Sequence, residues 1–133
     1  LKKNNINNKT QIPMKENILI EKSYNFSKEI IMVYKILTTD KKEYVLSRQL
    51  LKSGTSIGAL IREGQYGQSK PDFINKFSIA LKEANETEYW LMLMKDTDYV
   101  SPQLFEKLII PCQELLKLLT ASINTAKANL NRK

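Results

Sequence analysis

The chain has 133 residues, 21 lysines and arginines against 14 aspartates and glutamates, and no histidine, for a net charge of +7. That length carries one domain with one sizeable core, and four glycines and four prolines are too few for a sandwich or barrel with a turn after every strand. Without histidine, Ser-His-Asp and Cys-His catalysis, histidine-rich zinc sites and Glu-x-x-His di-iron centres are excluded.

Residues 1–15, LKKNNINNKTQIPMK, read as a basic, Asn-rich N-terminal extension that lacks the apolar segment of a secretory signal. Met14-Lys15-Glu16 looks like a natural start, so residues 1–13 are expected to be a weakly ordered extension. The first helix is predicted from Ile18 or Glu21 to Leu37, because Phe26, Ile30, Val33 and Leu37 recur at steps of four, three and four. The second opens at Thr39-Asp40, where Asp40 and Glu43 have the spacing of a capping box, and ends at a left-handed turn at Gly64 or Gly67. Its inner stripe is Leu46, Leu50, Ser53, Ile57, Leu60 and Gly64. The third starts at Ser69-Lys70-Pro71-Asp72 and buries Phe73, Phe77, Ala80, Ala84, Leu91 and Met94 before ending near Lys95. The fourth is capped by Ser101-Pro102 and runs through Phe105, Leu108, Cys112, Leu115, Leu119, Ile123, Ala126 and Leu130. Pro111 should kink it by releasing the carbonyl of Lys107.

Helices of about 18 to 28 residues joined by about 4 to 6 make antiparallel neighbours. The expected fold is therefore all-α, an antiparallel up-down-up-down four-helix bundle over residues 16–130, with 131–133 as a basic tail. No apolar run reaches the ~18 to 20 residues that span a bilayer, so no membrane partner is expected. A single cysteine, Cys112, cannot form an internal disulfide; on the apolar stripe it reads as a buried thiol, and the expected location is cytoplasmic.

The positive charge is concentrated in the tails. Residues 11–126 hold fifteen basic and fourteen acidic side chains, a net of +1, and flexible basic tails bind phosphate only non-specifically. Glu83, Glu86 and Glu88 cluster, but a carboxylate-only centre would need matching acids from other helices, and Glu29, Glu63 and Glu114 are the only loose candidates. A solvated acidic face balanced by Lys82 accounts for them. No cofactor is implied.

The stretch SGTSIGALIREG, residues 53–64, contains Gly54-Thr55-Ser56-Ile57-Gly58, which matches G-x-S-x-G on paper. A nucleophile elbow needs a strand before it and a base beside it, and a phosphate loop needs Lys and Ser/Thr after its last glycine. Neither is present. Close helix packing remains: Ser53, Gly54, Ser56 and Gly58 make a thin face that admits either a helix of the same chain or one of a neighbouring subunit. Glycine within a helix costs about 1 kcal/mol relative to alanine, so the pair implies a gain elsewhere.

The run Ser53-Gly54-Thr55-Ser56-Ile57-Gly58-Ala59, then Glu63-Gly64, Ser69 and Phe73, and the stretch Ile79 to Leu91 (IALKEANETEYWL) resemble a bacterial four-helix-bundle family. Its founding members are encoded in intervening sequences of 23S rRNA genes, some members carry a ribosomal-protein label, and it includes the accessory variability protein of diversity-generating retroelements. The resemblance covers roughly Tyr24 to Leu119. It implies a homopentamer with a central channel and, by likeness to the retroelement protein, a non-enzymatic partner of nucleic acid or of a reverse transcriptase. Leu60 stands where many relatives have asparagine, so a polar contact made there is lacking.

The leading expectation is a non-enzymatic, self-associating accessory or scaffold that binds RNA, DNA or a reverse-transcriptase-like enzyme. Lys28, Lys35, Arg48, Lys52 and Arg62 on the first two helices are the candidate phosphate contacts. The competing reading is a purely protein-protein interaction module for a partner encoded nearby. Trp90, Tyr89, Tyr66 and Tyr99 would then furnish an apolar patch or a subunit interface, with a core role for Trp90 equally open.

Overall fold

The computed structural model describes residues 14–132. Four helices fill it: α1 (Met14–Thr39), α2 (Leu46–Gln65), α3 (Lys70–Asp96) and α4 (Pro102–Asn131). The expected extension over residues 1–13 lies outside the described residues, and so does Lys133 of the basic tail. α1 begins ahead of the predicted Ile18 or Glu21 because no glycine or proline interrupts 14–39, and Leu19 already belongs to the core.

Each helix packs against its chain neighbours, and α4 closes the ring against α1 along the sparsest of the four seams. Contacts run antiparallel throughout. Gly54 and Gly58 of α2 face Ile30 and Ser23 of α1, and Gly64 faces Phe77 of α3. Cys112 of α4 reaches Ala84 of α3, and Lys95 near the end of α3 lies over Phe105 near the start of α4. The fold is the expected up-down-up-down bundle.

The core takes one stripe from every helix. Phe26, Ile30, Val33 and Leu37 of α1 meet Leu50, Ile57 and Ile61 of α2, with Phe77, Ala80, Ala84, Leu91 and Met94 of α3 and Leu108, Cys112, Leu115, Leu119 and Ile123 of α4. Burying a Leu, Ile or Phe side chain is worth about 1.5–3 kcal/mol, so these stripes dominate the stability. Leu130, predicted to extend the α4 stripe, is exposed, because α4 runs on past the turn between α2 and α3. α4 also continues unbroken through Pro111.

Two caps behave as their sequences require. The Ser69 hydroxyl accepts from the Asp72 amide at 3.2 Å and that of Ser101 from the Leu104 amide at 3.1 Å. The start of α2 does not. Asp40 belongs to the end of α1, its amide donating to the Ile36 carbonyl at 2.8 Å, and the chain then turns through Lys42 at φ 57°. The Glu43 carboxylate alone caps α2, accepting from the amides of Val45, Leu46 and Ser47 at 3.1, 2.9 and 2.6 Å. The left-handed ending predicted at Gly64 or Gly67 is also absent, since no glycine has positive φ. Space is what these two supply: a Cβ on Gly64 would sit 2.8 Å from Phe77 Cδ1, and one on Gly67 would collide with the Asp72 carboxylate.

Candidate nucleic-acid interface

On α2, Arg48, Lys52, Thr55, Ala59 and Arg62 follow at steps of four, three, four and three, which is one outer stripe. On α1, Tyr24, Lys28, Ile31 and Lys35 do the same. All five basic residues are exposed, and none forms an ion pair among the described residues. Lys28 Nζ rests 5.2 Å from the centre of the Tyr24 ring.

Between the two stripes runs a groove of about 280 Å³, with Tyr24 and Ile31 on one wall and Thr55, Ala59 and Arg62 on the other. Gly58 forms part of its floor, where a Cβ would stand 3.3 Å from Ser23 Oγ. Gly54 is tighter: a Cβ there would be 2.8 Å from Ile30 Cγ1. Both glycines therefore abut α1 of the same chain. Small residues bring the α1 and α2 backbones together; of the five cations Arg62 lines the groove itself, and the others lie along the outer stripes of the two helices.

Ser53 and Ser56 separate. Ser53 is buried, and its hydroxyl is hydrogen-bonded to that of Thr87 of α3 at 2.9 Å. Ser56 is half-buried and donates to the Lys52 carbonyl of its own helix at 2.6 Å. Its G-x-S-x-G setting is helical throughout. Trp90 is half-buried against the core; its indole N–H donates to Glu86 Oε2 at 3.3 Å, and its ring meets Tyr89 edge-on at 5.1 Å. Tyr66 and Tyr89 are exposed, whereas Tyr99 packs on the core. Leu60 does likewise.

Glu83 and Glu86 are neighbours on α3, but Glu63 and Glu114 pair with lysines instead. Glu114 pairs with Lys22 at 3.1 Å, and Glu63 lies 3.7 Å from Lys76. Partial burial, reinforced by Glu86, raises the Glu83 carboxyl above its ordinary value, while Lys82 and Lys52 pull the other way. Among the described residues, no three of His, Cys, Asp and Glu are grouped to hold a metal ion. Cys112 is buried, its thiol donating to the Ala84 carbonyl at 3.5 Å; burial, then the nearby Glu88, pushes it up to about 12. No described helix is long and apolar enough to cross a membrane.

A family model described as 23S rRNA-intervening sequence protein matches residues 15–121, a span that contains every residue of this face and nearly all of the core. The chain belongs to this family. A solved relative agrees: the crystal structure of a protein of unknown function from the S23 ribosomal protein family of Bacteroides thetaiotaomicron VPI-5482 is similar with a TM-score of 0.82 and 50% sequence identity. The match covers 84% of this chain and 99% of that one. No curated protein matches the chain. The family's bundle is thus the fold of this protein, and the family carries no established biochemical role with it.

Proposed function

We propose that the protein is a non-enzymatic, self-associating accessory bundle that binds RNA or DNA through the α1–α2 face. One observation carries this reading: five exposed cations, unpaired among the described residues, line the two stripes beside a single groove. Phosphates are held by such cations, and Tyr24 on the groove wall offers a ring on which an unpaired base can stack. Fluorescence anisotropy with a mixed-sequence single-stranded RNA at low salt tests it. Micromolar binding is expected, and no binding at micromolar protein would remove direct nucleic-acid recognition in favour of a protein partner.

We infer that self-association would use the flank of α1 that faces α4. Met32 is 58% exposed, and Ile18 and Ile36 of the same helix are exposed too. Met32 and Ile36 border a second groove with Leu104 and Lys107 of α4, along the sparse α1–α4 seam. Apolar side chains in such a row are what an interface between copies covers. The homopentamer implied by the family resemblance would bury this seam and leave the basic face open. Light scattering should then report an oligomer for the native chain and a smaller species for Met32→Glu/Ile36→Glu.

A further inference from the structure

A third concavity lies at the end of the bundle where α4 runs past the turn between α2 and α3. This cleft of about 360 Å³ is walled by Gln65, Lys70, Phe73, Ser122, Thr125 and Asn129, among others. The size falls within the ordinary range of ligand pockets, about 300–1,000 Å³. It shares no residue with the groove between α1 and α2.

Two side-chain atoms among the described residues are buried with no hydrogen-bond partner, Gln65 Oε1 and Ser122 Oγ. Both residues belong to this one cleft. Ser122 is 2% exposed. Several helix hydroxyls use the carbonyl four residues back, as Thr55, Ser56, Thr87 and Thr120 do; Ser122 does not, and it is buried. A buried polar group left unpaired costs about 1–3 kcal/mol, so the coincidence of two in the lining of one cleft calls for a partner there.

The walls define that partner's chemistry. A glutamine amide and a serine hydroxyl each offer donor and acceptor capacity, which complements a flat edge carrying a donor beside an acceptor. Phe73 supplies an aromatic wall, and its ring already stacks on Phe77 with centroids 4.0 Å apart. Lys70, at the first turn of α3, adds a cation unpaired among the described residues. Asp72 in the same turn offsets part of the helix-end field, which leaves the Lys70 ammonium as the main attraction for an anion.

We infer that this cleft binds a nucleotide, its base lodged against Phe73 and read by Gln65 and Ser122 and its phosphate held by Lys70. The shared chemistry is one nucleoside monophosphate unit, free in solution or at the end of a single strand. The site does not depend on the α1–α2 face.

The test is a two-dimensional amide NMR titration of the full chain with AMP, GMP, CMP and UMP in turn, with inorganic phosphate, and with a short single-stranded oligonucleotide. At least one mononucleotide, or the oligonucleotide, should move the signals of Gln65, Lys70, Phe73 and Ser122 saturably, with a dissociation constant of about 1 mM or tighter. Ser122→Ala should weaken binding about five- to tenfold, and Thr125→Trp, at an exposed position on the wall, should abolish it while the spectrum stays that of a folded bundle. Mononucleotide binding would identify the free ligand; saturation by the oligonucleotide alone would identify a strand end. The inference is overturned by no saturable shift in the cleft from any nucleotide, by equal binding in both variants, or by equal shifts from inorganic phosphate. Oligonucleotide shifts confined to Lys28, Lys35, Arg48 and Arg62 would remove the cleft site and keep the α1–α2 face; cleft shifts without RNA binding to that face would do the reverse.

Discussion

Glu43 shows how much one side chain can set. Partial burial pushes its carboxyl up, but the amides of Leu46, Ser47 and Val45 outweigh that and hold it below its ordinary value. The charged form is therefore favoured by folding. Its contribution is present above the unfolded pKa and is lost as pH falls through the lower folded one. Glu43→Gln should cost about 1 kcal/mol at neutral pH by urea denaturation, and the gap to the native chain should narrow in acid. The two glycines beside α1 should behave differently. Gly54→Ala presses on the γ-carbons of buried Ile30 and should destabilise by about 1–2 kcal/mol, overpacking outweighing the gain in helix propensity. Gly58→Ala meets Ser23 at ordinary-to-tight distance and should be near neutral. Cys112, buried and with its thiol pushed up to about 12, should resist alkylation at pH 8 until the protein unfolds.

At the level of the helix, the sequence was readable wherever side chain and backbone act within one turn. Ser69 and Ser101 cap as their spacing demands, and the four apolar stripes are the core. The start of α2 was not readable. Asp40 and Glu43 have capping-box spacing, yet nothing after Leu37 stops α1, and the chain reverses through Lys42 in the left-handed region, which no local pattern announces for a lysine. That conformation costs about 1 kcal/mol for a residue with a Cβ, so Lys42→Gly should raise the unfolding free energy by a similar amount. Gly64 and Gly67 were misread for a related reason: their lack of a side chain serves Phe77 and Asp72, residues of another helix. The cations of the candidate face were legible by type and by their helical steps. The groove between them was not, because it depends on the α1–α2 register set by Gly54 against Ile30 and Gly58 against Ser23. The end cleft was legible in no respect, since it rests on a buried serine hydroxyl and a glutamine oxygen left without partners by the packing.

For the molecule as a whole, the surface divides into regions of different chemistry. The α1–α4 seam presents apolar side chains, the α1–α2 face presents cations around a narrow groove, and the overhang of α4 shapes a polar cleft. Net charge alone pointed to the chain ends, whereas five cations of an almost neutral segment lie exposed on the outer stripes of α1 and α2. The central claim is that this face neutralises nucleic-acid phosphate, and the salt dependence of RNA affinity tests it most directly. Each phosphate contact contributes about −0.7 to the slope of log K against log salt for a single strand. The native chain should show a slope of about −2 to −3.5, for three to five contacts, and Lys28→Gln/Lys35→Gln/Arg48→Gln/Arg62→Gln should flatten it toward zero while melting as the native bundle does. An unchanged slope in that variant would contradict the assignment of the face.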